Sequence, residues 1–365
     1  MEKLATGAVA PNLAPNLAPN LAPDTARWIR HFAPSWFAAV MGTGVLALGT
    51  AALARGAPAL EPLAILLHWF NVALFAVLLV PWTLRWFVAR REATAALSHP
   101  VVASFVPTIA IALLVLAAQF LQIVRRPEVA LALWSAGAAA ALGFSFLILF
   151  RQFTGEHVKL DHVTPGMFIP AVGLVVVPVA GAPLSALQPD PALQGAMLLA
   201  CYVSLGTGFL LWVSLHAISL YRLVLHTPVP GQLAPTFWVN LGPLGVVPIS
   251  VLALAEASRF VVDRVPFQVV ALLIWGFGVW WLAMAAILTL TYWRRGQLPF
   301  VLSWWAFTFP TGAFALASFR LSHAFQLPGV FEIGVIAFTL LVGFWSVTLV
   351  RSVRGVADGS VFQPH

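Results

Sequence analysis

Ten stretches of this chain run without a single Asp, Glu, Lys or Arg: 31–54, 62–84, 93–124, 129–150, 162–189, 191–221, 223–255, 265–293, 296–319 and 333–350. A helix needs about 20 apolar residues to cross the hydrocarbon of a bilayer, and each stretch can hold one, the last only just. Inside a membrane every backbone N–H and C=O must be satisfied by the protein itself, which favours helices for such segments. The chain is therefore expected to be an all-α integral membrane protein with ten transmembrane helices. Its balance of 61% hydrophobic and 8% charged residues contrasts with about 25% charged in soluble domains.

The placement of the charges predicts a topology. Thirteen of the nineteen Lys and Arg lie in the N-terminal tail, the loops after even-numbered segments and the C-terminal tail, and six lie on the other side. The acidic residues divide six and six, so one face is net +7 and the other neutral. By the positive-inside rule both termini are cytoplasmic, on the side of Arg90, Arg91, Arg294 and Arg295, in a cytoplasmic (inner) membrane. The basic balance is thus a topology signal, and no nucleic-acid partner is expected. Cys201 is the single cysteine, so no disulfide framework exists.

Three domains follow. Residues 1–30 hold Pro-Asn-Leu-Ala three times between Pro11 and Ala22. A proline every fourth residue prevents a helix, and a disordered cytoplasmic tail is expected. Residues 31–354 form the ten-helix membrane domain, and residues 355–365 a short cytoplasmic C-terminal tail.

The odd-numbered segments share a device. The first carries Met41-Gly42-Thr43-Gly44, and the third Phe105-Val106-Pro107-Thr108. The fifth carries Phe168-Ile169-Pro170-Ala171-Val172-Gly173, the seventh Asn240-Leu241-Gly242-Pro243, and the ninth Trp304-Trp305-Ala306-Phe307-Thr308-Phe309-Pro310-Thr311-Gly312. A proline removes a backbone donor and crowds the preceding turn, so each helix is expected to kink or break there. In hydrocarbon such a break is tolerated where protein or a water-filled path covers the freed carbonyls. Glycines let backbones approach; Gly42 and Gly173 are expected at close helix contacts and Gly278, in an even segment, at a tolerant position. From Gly42 to Pro107, Pro170, Pro243 and Pro310 the steps are 65, 63, 73 and 67 residues, each the length of one helical hairpin. Five tandem hairpins close most simply as a ring, with thin odd helices around a central pore and bulky even helices facing lipid.

At these residues, and at Pro34-Ser35-Trp36-Phe37 and His162-Val163-Thr164-Pro165-Gly166, the chain resembles the tellurite-resistance/dicarboxylate transporter family. That family includes the bacterial tellurite-resistance protein TehA, malic-acid permeases, fungal sulfite efflux pumps and plant slow-type anion channels. The resemblance covers essentially all of residues 31–354. It implies ten helices in five hairpins around a five-helix pore, assembly as a homotrimer, and a phenylalanine of the ninth helix plugging the pore, which by motif is Phe309. The Met-Gly-Thr-Gly form of the first motif is closer to the malate and sulfite branch than to the plant channels.

The chemistry available points to anion permeation without a cofactor or metal. Thr43, Thr108, Asn240, Thr308 and Thr311 can offer hydroxyl or amide donors to an anion, unless the hydroxyls back-bond to their own helices. Phe105, Pro107, Phe168, Pro170, Gly173, Gly42, Gly44, Gly242, Pro243 and Pro310 are expected along the path, with Phe309 as its gate. Phe307 should face neighbouring helices, since two residues turn a helix by about 200°. His162 stands at the cytoplasmic mouth as a candidate proton or anion site, while His68 and His216 read as buried structural histidines with hydrogen-bond partners. No clustering of His, Asp and Glu suggests a metal centre or an enzyme. The expected substrate is a small anion of a weak acid: a C4-dicarboxylate such as malate, sulfite, or a tellurite-type oxyanion. A gated passive anion channel is the alternative.

Overall fold

In the computed structural model residues 28–155 and 160–362 are described; residues 1–27, with the Pro-Asn-Leu-Ala repeat, residues 156–159 and residues 363–365 lie outside them. Ten long helices follow one another: α1 Phe37–Ala54, α2 Glu61–Val88, α3 Thr108–Gln122, α4 Pro127–Thr154, α5 Ile169–Ala186, α6 Pro191–Leu225, α7 Leu241–Ala257, α8 Val265–Arg294, α9 Thr308–Phe325 and α10 Val330–Ala357. No strand occurs among the described residues. Nine of the ten helices, with their short lead-ins, are long and apolar enough to cross a membrane. The exception is α9. Its charge-free stretch begins in irregular chain and a 3-10 turn, so the helix proper runs on to include Arg320 and His323.

Odd and even helices occupy different environments. Between 72% and 94% of the apolar window is buried in α1, α3, α5 and α7, against 22% to 33% in α2, α4, α6, α8 and α10. The even helices carry the exposed large side chains, Leu66, Phe87, Phe146, Leu210, Leu273 and Val353 among them. With lipid outside, such faces cost nothing to leave uncovered, and only the inner helices need protein on all sides. The inner helices pack in the order α1, α3, α5, α7, α9, and α9 returns to α1. Each outer helix packs against its own inner partner and against the next inner helix.

Side-chain latches mark that second contact. Asn71 of α2 donates to Gln119 Oε1 of α3 at 3.0 Å, and Trp134 of α4 to the Val177 carbonyl of α5 at 2.9 Å. Trp212 of α6 donates to Asn240 Oδ1 at the start of α7, Trp275 of α8 to Ser318 Oγ of α9, and Trp345 of α10 to Thr43 Oγ1 of α1. Since lipid is as apolar as the helices, packing and such bonds carry the association.

The prolines of the shared odd-segment device sit at helix starts, whereas Pro178 and Pro183 of α5 and Pro248 of α7 lie inside their helices. Short 3-10 helices Pro34–Trp36, Pro165–Phe168, Gly231–Asn240 and Leu302–Phe307 lead into α1, α5, α7 and α9, and turns after the short helix Pro100–Ala103 lead into α3. Pro107 is the residue before α3, Pro170 the second of α5, and Pro243 and Pro310 the third of α7 and α9. The expected mid-helix kinks are therefore corrected to 3-10-to-α junctions. The first N–H groups of an α-helix have no intrahelical partner, so a proline there loses no bond.

Outer helices tie these lead-ins down. Arg85 of α2 donates to the Phe32 carbonyl at 2.7 Å, Arg222 of α6 to the Leu160 carbonyl at 3.1 Å, and Tyr292 of α8 to the Val229 carbonyl at 2.6 Å. Arg351 of α10 lies 4.9 Å over the Trp304 ring. Arg85 and Arg222, counted as loop charges above, are buried clamps. At the C-terminus the expected tail continues α10 to Ala357, after which Phe362 stacks on Trp36 at 6.2 Å.

Candidate functional site

Two cavities lie within the inner ring, one at each end. The first is a neck of about 40 Å³ where the inner helices begin. Each inner helix supplies its wall: Met41 from α1, Thr108 and Ile111 from α3, Ile169 and Val172 from α5, Gly242 from α7, and Phe309 and Pro310 from α9. Phe105, Val239 and Trp305 close it from the lead-ins, and among the described residues no ionisable side chain lines it. Five helix N-termini thus meet around a small, largely apolar space. The first N–H of each is bonded into its own lead-in, as Thr108 N–H is to the Phe105 carbonyl and Thr308 N–H to that of Trp305, so the partial positive charge there is that of the aligned helix dipoles.

Phe309 is buried in this neck. Its ring reaches across to α7, where a Cβ added to Gly242 would lie 4.0 Å from Phe309 Cε1 and 3.8 Å from Val172 Cγ1. Phe307 points the other way, stacked on Phe344 of α10 at 5.0 Å and edge-on to Trp238 at 5.8 Å.

The second cavity is a funnel of about 1160 Å³ where the same helices end. Leu48, Gln122, Val179, Ile249 and Leu316 line it, with Arg55, Glu61, Arg125, Glu256, Arg320 and His323. Along α9 the two cavities share one face: Phe309 and Arg320 are eleven residues apart, about three full turns.

Several residues expected on the path face elsewhere. Phe168 is fully buried against His216 of α6 at 5.9 Å, whereas Phe105 lines the neck. The difference comes from register, because α3 starts three residues after Phe105 and α5 one residue after Phe168. Asn240 turns outward and accepts from Trp212 at 2.8 Å, and Thr43 turns outward to Trp345 at 2.9 Å. Thr308 and Thr311 bond to the carbonyls of Trp305 and Phe307, and Thr108, at the neck wall, to those of Pro34 and Phe105. The hydroxyl protons are committed to backbone, so they are not a ring of free donors. His162 lies half-buried in the turn Leu160–His162, outside the residues lining the neck. His216 sits among the Trp212, Trp281 and Phe277 rings with neither nitrogen hydrogen-bonded, which corrects the expected partner.

The glycines hold the ring together unevenly. A Cβ on Gly42 would collide with Thr308 of α9, one on Gly44 with Val115 of α3, and one on Gly278 with Phe314 of α9. Gly173 is looser, with its nearest neighbours, Ala141 and Ile111, at 3.6 Å. Gly173 as a tight contact and Gly278 as a tolerant position are both corrected; α8 needs its glycine because Phe314 lies flat against Trp275 beside it. The pair Glu256 and Arg320 was missed, although the eleven-residue spacing from Phe309 carried the signal.

With this geometry in hand, similarity to known proteins becomes informative. Residues 31–353 match the family model described as voltage-dependent anion channel (SLAC1). The uncharacterized transporter MJ0576 of Methanocaldococcus jannaschii is 41% identical over 341 residues, 92% of this chain and 97% of that protein. The sulfite efflux pump SSU1 of Arthroderma benhamiae is 26% identical over 92% of this chain and 93% of its own. The malic acid transport protein of Schizosaccharomyces pombe is 22% identical over 82% of this chain and 74% of its own. The chain belongs to the voltage-dependent anion channel (SLAC1) family, the family that also holds the tellurite-resistance/dicarboxylate transporters it resembles.

Proposed function

We propose that this protein carries small anions of weak acids, such as malate, sulfite or a tellurite-type oxyanion, across the cytoplasmic membrane along the axis of α1, α3, α5, α7 and α9, with Phe309 as the gate. The carrying observation is the convergence of five helix starts on a neck of about 40 Å³ whose wall includes the Phe309 ring, with Phe105 and Trp305 beside it. Helix N-termini attract anions without a fixed cation, so an anion is held weakly enough to leave again. A charged ring at mid-membrane would cost about 2.5–3.5 kcal/mol per residue, and the neck wall contains no such residue among those described. The printed names of the sulfite and malic acid relatives support the substrate class.

The split of charges between loops supports an orientation with both termini and the neck cytoplasmic and the funnel outside. Assembly as a homotrimer through the outer helices rests on the family resemblance. A gated channel is the second reading, favoured by a neck wall that holds no titratable group among the described residues and by the description of the matched family.

Proteoliposomes loaded with buffer, with and without a pH gradient, decide between these readings. Malate or sulfite accumulating against its gradient supports the coupled transporter. Anion current without accumulation supports the channel. Neither uptake nor current for either anion overturns the proposal.

A further inference from the structure

The inner helices hold one carboxylate and one Lys or Arg between them, Glu256 in the last turn of α7 and Arg320 in α9. These two face each other in the funnel wall, with Arg320 Nη2 donating to Glu256 Oε2 at 2.6 Å. The side chains are 31% and 54% exposed, so the pair stands open to whatever enters the funnel.

As a staple between α7 and α9 the pair adds little. Exposed ion pairs contribute about 0–1 kcal/mol, and these helices already meet at Gly245, where an added Cβ would strike the backbone of Ala313 and Phe314. As a site it is well placed. The inner helices end in the funnel, and their C-termini bring partial negative charge that repels an entering anion. A cation on the wall offsets that field, and Arg320 stands on the Phe309 face of α9, about 16 Å up the helix axis. Arg55 and Arg125 at the rim add positive charge, against Glu61, and His323 follows one turn beyond Arg320.

We propose that Arg320 is the entry binding site for the transported anion and that Glu256 is its built-in competitor. In the unliganded protein the Glu256 carboxylate occupies the guanidinium. An incoming carboxylate or oxyanion with two oxygens matched to the guanidinium fork displaces it by making two charge-assisted bonds where Glu256 makes one. The site then selects oxyanions and carboxylates over halides, single atoms that lack the paired oxygens the fork matches. This rests on the permeation reading, and it adds where the anion first binds and which chemical class is favoured.

The test is malate uptake by proteoliposomes of Arg320→Gln, Glu256→Gln, Arg320→Lys and the charge swap Glu256→Arg with Arg320→Glu, corrected for folded protein. Losing the guanidinium should raise KM about tenfold, the scale of one lost charge-assisted bond. Removing the competitor should lower KM about threefold, the scale of a released exposed ion pair. Arg320→Lys should fall between wild type and Arg320→Gln, and the swap should not restore wild-type KM. A staple predicts otherwise: both single variants shift the same way and the swap repairs them, a result that overturns the proposal. If wild-type liposomes show neither uptake of nor current for malate or sulfite, the permeation reading fails, and calorimetric titration of the purified protein with malate decides the site alone. Kd in the order Glu256→Gln, wild type, Arg320→Gln, from tightest to weakest, supports it; equal Kd values overturn it.

Discussion

At one end of the inner ring five helices start through 3-10 turns and meet at Phe309 around about 40 Å³; at the other the same five helices end around about 1160 Å³. Among the described residues the neck has no ionisable wall residue, while the funnel has three arginines and two glutamates. The neck is also the better braced. Arg85, Arg222, Tyr292 and Arg351 clamp its lead-ins from outside, and Trp281, Trp238 and Trp305 add bonds to the Phe237 carbonyl, Thr289 and Ser352. Narrowness and rigidity go together, because an aromatic plug blocks only if the walls beside it stay put. Charge belongs at the wide end, where water solvates it and desolvation is small.

The neck is most directly broken at Phe309. An apolar constriction stops ions by excluding water, so Phe309→Ala should wet it and raise passive anion flux tenfold or more, equivalent to about 1.4 kcal/mol off the barrier. Phe307→Ala should leave flux per folded molecule unchanged and lower the unfolding temperature, since its ring is packed against Phe344 and Trp238. Liposome flux for both variants reads the difference. A leak from Phe307→Ala with none from Phe309→Ala would transfer the gate to the other ring.

Next in size is the helix spacing that sets the neck diameter. Gly42→Ala places a methyl group against Thr308 and should push α1 from α9, costing about 1–3 kcal/mol as overpacking does. Gly173→Ala, whose methyl group would find its nearest neighbours at 3.6 Å, should be tolerated, and Gly276, with nothing nearby, should accept even Leu. Yield of monodisperse protein and melting temperature in detergent measure this. Equal loss at Gly42 and Gly173 would mean the ring is tight all round.

Much of this contrast is legible in the sequence and part is not. The membrane class, the order of the helices and the inner and outer roles follow from charge-free length, bulk and proline spacing. Which way each residue faces does not. An inner helix is apolar on every side, so the 3.6-residue rhythm that marks a core face in a soluble protein is missing. Phe105 and Phe168 both stand two residues before a proline, yet face opposite ways because their α-helices start at different distances from it. Hydroxyls show a further gap: Thr308 and Thr311 read as donors, but only the fold reveals that the Trp305 and Phe307 carbonyls take their protons. The inner-helix charges could have been found, since Glu256 and Arg320 are the only such residues in those helices.

The smallest expected effects compare the bracing at the two ends. Trp212→Phe, at the neck, removes the donor to Asn240 Oδ1, and Asn240 Nδ2 already has no partner. The amide is then buried with both ends unpaired, which costs about 1–3 kcal/mol. Trp275→Phe, toward the funnel, removes the donor to Ser318 Oγ, but that hydroxyl still donates to the Phe314 carbonyl at 2.9 Å. Its cost should be near the average of about 0.6 kcal/mol for a side-chain bond between membrane helices. Trp212→Phe should therefore lower the melting temperature more. It should also raise basal anion leak slightly, because Asn240 immediately precedes α7 and Gly242, across which the Phe309 ring lies. Trp275→Phe should change stability alone. A leak from Trp275→Phe as large as that from Trp212→Phe would mean that bracing at the neck does not hold the plug, and that the ring opens as one body.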